Sequence, residues 1–260
     1  MAVSEPNRHT LRVCALYPDL MNIYADRGNL FVLQRRCEWR GIGFRLMGSG
    51  LGEALDGGAH DIYYIGGGQD RDQLLCAEDL VAGKRAALHE AASRGAVVLG
   101  VCGGYQLLGE SYTLGDDQLE GVGLLDVCTV REPGPRLIGN VAIEVDLGDS
   151  HTGVGGHTSL SGRVLAGFEN HGGRTYLGAS ATPLGRVLKG EGNDGQSGYE
   201  GAKAANTIGT YLHGPLLPKN TWFADWLIAS ALGIDVDELA PLDDDLELQA
   251  HRSACNAAGV

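Results

Sequence analysis

The sequence is short of positive charge. Its 20 lysines and arginines stand against 33 acids, giving a net charge of −13 over 260 residues, and they form no cluster. That balance argues against nucleic acid or anionic lipid as a direct partner and leaves cationic partners or neutral small molecules. Six cysteines, Cys14, Cys37, Cys76, Cys102, Cys128 and Cys255, lie far apart with no C-x-x-C pair. Neither a zinc knuckle nor a disulfide scaffold is indicated, and a reducing cytosol fits. The first ten residues lack the apolar core of a signal peptide, and no stretch approaches the roughly 20 apolar residues of a membrane span. The expectation is a soluble, cytoplasmic protein with no membrane insertion. No G-x-x-x-x-G-K-[ST] loop occurs, so an ATP site of that kind is not expected in this chain. The 41 glycines follow no fixed period, which argues against collagen-like and solenoid readings.

What is there centres on residues 96–106. Ala96-Val97-Val98-Leu99 is a short apolar run of the kind buried on both faces in a parallel sheet. It stops at Gly100-Val101-Cys102-Gly103-Gly104, after which Tyr105-Gln106-Leu107-Leu108 reads as the first turns of a helix. A cysteine there is the thiol counterpart of the G-x-S-x-G nucleophile elbow. Glycines at such a turn permit strained backbone angles and clear side chains from the approach of a carbonyl, while a helix start favours the thiolate. The plainer reading is a buried structural cysteine.

Around this elbow the first hundred residues alternate strand and helix. Strands are expected over residues 11–17, 42–47 and 61–65, and helices over 30–40 and 70–94, the latter from Leu74, Val81 and Leu88 spaced by seven. The fold class is therefore α/β, a mostly parallel sheet flanked by helices. After residue 109 the pattern turns to short strands, as in residues 140–146, 163–165, 185–188 and 206–211, so the second half is β-rich. A last clear helix covers residues 221–232, with Trp222, Trp226 and Ala229 on one face. This divides the chain into a tail at 1–10, one domain at 11–240 and an acidic segment at 241–260, whose simplest reading is a solvated surface.

A cysteine nucleophile wants a base. His213, at the end of an expected strand in Thr210-Tyr211-Leu212-His213-Gly214-Pro215, is the first candidate, and His171 in Glu169-Asn170-His171-Gly172 is the second. His213 would otherwise read as a surface histidine on a turn, and His171 could instead contact substrate. Gly66-Gly67-Gly68, at the C-terminal end of another strand, is the candidate source of an oxyanion N–H. His151 and His157 near Asp149 lack a third strong metal ligand, and no metal site is expected.

These motifs together resemble the class I glutamine amidotransferases in their CobB/CobQ-like branch. Residues 18–29, Arg136-Leu137-Ile138-Gly139-Asn140 and residues 167–176 narrow the resemblance to the stand-alone GatD-type subunits that serve lipid II isoglutaminyl synthase. The resemblance implies a flavodoxin-like fold and release of ammonia from L-glutamine through a cysteine thioester. It makes Cys102 the nucleophile, His213 the general base and acid, and Gly67 or Gly68 with Gly103 the oxyanion donors. Gln106 and Arg136 would hold the substrate, Arg136 through its α-carboxylate. It also implies a heterodimer with a MurT-like Mur ligase subunit that supplies ATP and Mg and amidates the D-glutamate of lipid II during peptidoglycan biosynthesis. The family generally places an orienting glutamate two residues after the histidine, where this chain has Pro215. Its CobB/CobQ-like branch shares that lack. Glu169 and Asp225 are the in-chain substitutes considered, and a carboxylate from the ligase is the other. Two alternatives stand beside this reading: a free-standing cysteine amidase or peptidase, and a binding subunit with a vestigial site. A corrinoid acceptor is an alternative within it.

Overall fold

The computed structural model describes residues 9–23, 26–114, 117–145, 147 and 162–260. The three residues Asp149, His151 and His157 lie outside them. The first half builds β1 (Thr10–Leu16), α1 (Arg27–Trp39), β2 (Gly43–Ser49), β3 (Ile62–Ile65), α2 (Asp70–Asp79), α3 (Arg85–Ser93), β4 (Val97–Val101) and α4 (Gly103–Leu108). The second half adds β5 (Ser111–Leu114), β6 (Asp117–Glu120), β7 (Val127–Arg131), β8 (Leu137–Val145), β9 (Val164–His171), β10 (Gly173–Leu177), β11 (Gly185–Lys189), β12 (Tyr199–Glu200), β13 (Ala202–Ala204) and β14 (Thr207–Thr210). Helices α5 (Leu216–Lys219), α6 (Thr221–Leu232) and α7 (Asp245–Ala258) close the chain.

A central six-stranded sheet runs in the order β13-β14-β4-β3-β1-β2, parallel throughout except for β13. Its β3 and β4 are buried at every position, which is why they read as unbroken apolar runs. Register aligns Ile65 with Gly100 and Val101 with Thr210. The chain after β3, β4 and β14 therefore leaves the sheet at one edge, carrying Gly66 to Gly68, Cys102 and Tyr211 to His213. Open α/β sheets place their sites at this C-terminal edge.

The β-rich half forms two four-stranded sheets, β10-β7-β5-β6 and β12-β11-β8-β9. In the second, the long antiparallel pair β8 and β9 sets Leu137 opposite His171 and Gly139 opposite Glu169. Phe168 of β9 bridges to His213 through two backbone hydrogen bonds of 3.0 and 3.1 Å. These strands thus carry residues to the same edge as the elbow.

The expected helix over residues 70–94 is two helices joined by a π turn, Leu80–Lys84. Inside that turn the Lys84 ammonium is buried against Asp79 and lies 4.9 Å from the centre of the Tyr17 ring. The buried stripe is Gln73, Cys76, Ala77, Leu80, Lys84, Leu88 and Ala91, so of the heptad residues only Leu88 is in the core. The acidic segment is also organised. Arg36 of α1, 1% exposed, makes paired hydrogen bonds to Asp225 of α6 and to Asp244 just before α7, and Arg40 adds two more to Asp225. Removing one member of such a buried network costs about 3–5 kcal/mol.

One face stays uncovered. Phe31 (60% exposed) lines a cavity of about 410 Å³ with Leu46 and Met47 of the edge strand β2, and a second one with Trp39 and Leu246. Among the described residues no helix is long and apolar enough to cross a membrane.

Candidate active site

Cys102 stands between β4 and α4 with φ 53° and ψ −108°, a left-handed conformation that costs a non-glycine residue about 1–3 kcal/mol. The surroundings hold it there. Its amide donates to the Thr210 carbonyl (2.8 Å) and its carbonyl accepts from the Gln106 amide (3.2 Å). A Cβ at Gly104 would sit 2.2 Å from the Ile65 carbonyl oxygen, so no other residue lets α4 start this close to β3. The elbow expected from the spacing is present.

Cys102 is 7% exposed and opens on a cleft of about 250 Å³ lined by Gly68, Gln73, Gln106, Arg136 and His171, among others. The volume suits a small polar molecule. Gln106 is held at both ends of its amide, accepting from Gln73 Nε2 at 2.7 Å and donating to Tyr211 Oη at 3.1 Å. Tyr211 in turn bonds Thr175 (2.6 Å), which bonds Thr129 (2.7 Å). This polar chain fixes one wall.

Arg136 reaches the cleft from just before β8, and its Nε and Nη2 donate to the side chain and backbone oxygens of Asn170, each at 2.8 Å. Asn170 thereby aims the guanidinium. If Arg136 grips a substrate carboxylate, Arg136→Ala removes a charged hydrogen-bond pair worth about 2–3 kcal/mol, or about 30- to 150-fold in kcat/KM for glutamine. Steady-state kinetics check this, and an unchanged kcat/KM removes Arg136 from the site.

His213 is fully buried, bridged through its backbone to Phe168, and is not among the residues that line the cleft. Burial drives its pKa down to about 4, with the charges of His171, Lys219 and Arg136 pushing the same way. Burial also pushes the Cys102 thiol up to about 12; the Asp26 carboxyl adds to the rise, while the Gly103 amide and the Arg136 charge oppose it. At neutral pH the resting site therefore holds a thiol and a neutral imidazole.

His171 does line the cleft. Its Nδ1 bonds the Gly173 carbonyl (2.8 Å), its ring stacks on Tyr211 with centroids 3.6 Å apart, and its Nε2 lies 3.9 Å from Glu169 Oε2. Glu169 accepts from the Glu191 and Gly192 amides at 2.7 and 2.9 Å. Thus the structure pairs Glu169 with His171, and it commits Asp225 to Arg36 and Arg40. Of the glycine loop, Gly68 lines the cleft, whereas the Gly67 amide is donated to Asp26 Oδ2 at 2.7 Å.

Two buried carboxyls escaped the sequence reading. Glu200 accepts from the Tyr211 amide (2.6 Å) and the Thr210 hydroxyl (3.0 Å), pinning the chain that leads to His213, and burial raises its pKa to about 8. Asp26 is the other. Its place in the Asp26-Arg27-Gly28-Asn29 helix start and its place within the stretch 18–29 that carries the resemblance were the signals that pointed to it.

Residues 12–221 match the CobB/CobQ-like glutamine amidotransferase domain. The chain is 37% identical over 246 residues, 93% of each chain, to the lipid II isoglutaminyl synthase (glutamine-hydrolyzing) subunit GatD of Staphylococcus aureus strain N315. It is 35% identical over 225 residues to the subunit of the same name from Streptococcus pneumoniae strain ATCC BAA-255 / R6, covering 86% of this chain and 81% of that one. In shape it is similar to PurLQS from Thermotoga maritima, with a TM-score of 0.55 at 19% identity, covering 78% of this chain and 87% of that one. That likeness bears on the fold alone.

Proposed function

The chain belongs to the CobB/CobQ-like glutamine amidotransferase family, and from that premise we propose that it is the glutaminase subunit of a lipid II isoglutaminyl synthase. The observation that carries the chemistry is Cys102, held in the strained elbow and facing a polar cleft that Arg136 also enters. In this reading the Cys102 sulfur attacks the side-chain amide carbon of L-glutamine as His213 takes the thiol proton. The Gly68 and Gly103 amides carry the oxyanion, and His213 returns the proton to the departing nitrogen as the C–N bond breaks. Ammonia leaves, water adds to the thioester with His213 as base, and glutamate departs with the thiol restored.

The ammonia then passes to a Mur-ligase-like partner, the MurT-like subunit, which binds ATP and Mg and amidates the α-carboxylate of D-glutamate in lipid II. No step here uses a cofactor bound to this chain. In this reading a carboxylate from that partner completes the triad at His213, while Glu169, Asp225 and Glu200 serve other groups. The test supplies amide-¹⁵N-glutamine, ATP, lipid II and the co-purified ligase, and mass spectrometry should find ¹⁵N in the stem peptide. Label found only in free ammonia, or in a corrinoid acceptor, overturns the assignment of acceptor.

A further inference from the structure

Asp26-Arg27-Gly28-Asn29 serves no step above, yet its side chains reach the glycine loop after β3 and the chain that follows His213. Asp26 precedes α1 but makes no capping bond with its side chain. Fully buried, it reaches 41 residues along the chain instead, and Oδ2 accepts from the Gly67 amide at 2.7 Å. Asn29, also buried, accepts from the Leu217 amide at 2.8 Å and donates to Tyr64 Oη at 2.9 Å. A Cβ at Gly28 would lie 2.7 Å from the Pro215 ring. The segment is therefore anchored to the chain that follows His213, and from that base Asp26 grips the glycine loop.

A run of three glycines has no side chain to set its backbone angles, so the direction of each amide must come from outside contacts. Two contacts fix Gly67. Asp26 takes its N–H, and the Ile23 amide donates to its carbonyl at 3.1 Å. A trans peptide points its carbonyl and the following N–H in opposite directions. With the Gly67 oxygen turned toward Ile23, the Gly68 N–H faces away from Ile23, and a Cβ placed on Gly103 would lie 3.2 Å from that nitrogen. Gly68 and Cys102 line the same cleft.

This placement is costly for Asp26. Its second oxygen, Oδ1, is buried with no hydrogen-bond partner among the described residues, and burial raises its pKa to about 7 against the help of the Gly67 amide. Its charge also opposes the Cys102 thiolate more than any other. A group that weakens its neighbour's reactive form and still occupies the site has another use there.

We propose that Asp26 is a positioning residue of the glutaminase reaction, holding the Gly67 amide so that the Gly68 N–H is presented to the oxyanion formed at Cys102. The inference rests on the thioester reading above. It predicts that Asp26→Ala lowers kcat for glutamine by about 10- to 100-fold, somewhat less than outright loss of an oxyanion donor, with KM changed by less than about threefold. Alkylation of Cys102 by iodoacetamide forms no oxyanion, so its rate should hold or rise. Asp26→Asn keeps an acceptor in the same space and should restore kcat to within about fivefold of the parent.

All variants are made in the full chain and assayed with the ligase partner present. Wild-type kcat in Asp26→Ala overturns the proposal, as does a parallel loss of turnover and alkylation in both variants, which would mark a merely structural residue. If Asp26→Ala does not fold, the Gly67 amide resonance decides: it should shift with pH as Asp26 titrates and stop doing so in Asp26→Asn, and an insensitive resonance sinks the idea. Cys102→Ala separates the two layers. Turnover surviving Cys102→Ala takes down the thioester reading and this inference together, whereas an unaffected Asp26→Ala beside a dead Cys102→Ala takes down only this one.

Discussion

Cys102→Ala should abolish glutamine turnover, a loss of at least about 10⁴-fold, while thermal unfolding shifts by only a few degrees. Alanine keeps the Cβ, so the strained elbow is neither relieved nor worsened, and only the sulfur is lost. The glutamine analogue 6-diazo-5-oxo-norleucine should add to Cys102 alone, as read by peptide mapping. The other thiols make this a discriminating test. Cys14, Cys37 and Cys76 are buried with their thiols pushed up by burial, but Cys128 is exposed. An adduct on Cys128, or turnover in Cys102→Ala, overturns the assignment of the nucleophile.

Partner binding is the second large effect. If Cys102 passes its proton to His213 as proposed, the transfer in the isolated chain is uphill, because burial has moved the thiol up to about 12 and the imidazole down to about 4. A carboxylate brought beside His213 stabilises the imidazolium and raises that pKa, so the transfer becomes easier. Loss of the orienting acid costs about 10⁴-fold in a related triad. Turnover by the isolated chain should therefore be slow and climb with pH well into the alkaline range. Adding the ligase should raise it by about 10²- to 10⁴-fold and move the inflection toward neutral pH. Changing the responsible ligase Asp or Glu to its amide should return the slow, alkaline profile. If the isolated chain matches the complex at pH 7 and no ligase carboxylate matters, the orienting group lies in this chain or is water.

The sheet edge that makes the site was legible because parallel strands buried on both faces leave unbroken apolar runs, as in Ile62 to Ile65 and Val97 to Val101. The elbow was legible because close approach of α4 to β3 excludes side chains and leaves glycines. What the β-rich half does was not. Arg136 meets Asn170 only because β8 pairs with β9 over a long antiparallel ladder, and no local pattern encodes that register. The phase of α2 and α3 was hidden for a different reason: the π turn at Leu80–Lys84 breaks the helical period, and a buried lysine looks like a surface one until Asp79 and Tyr17 surround it. Asp244, within the segment that reads as a solvated surface, was hidden for the same cause, and nothing in the local sequence marks Glu200 or Asp26 as buried acids. The desolvation that makes a carboxyl unusual arises only when distant chain closes over it.

The uncovered face of α1 and β2 governs how the subunit behaves as a colloid. Phe31, Trp39, Leu46 and Met47 give one molecule a surface that another can stick to, beside a β2 edge that pairs only with β1 among the described residues. What keeps copies apart is their shared charge of −13. That repulsion reaches about 10 Å at 0.1 M ionic strength and only about 3 Å at 1 M. The free subunit should therefore stay dispersed in dilute buffer, whereas salting out, commonly a gentle step, should bring its apolar faces together.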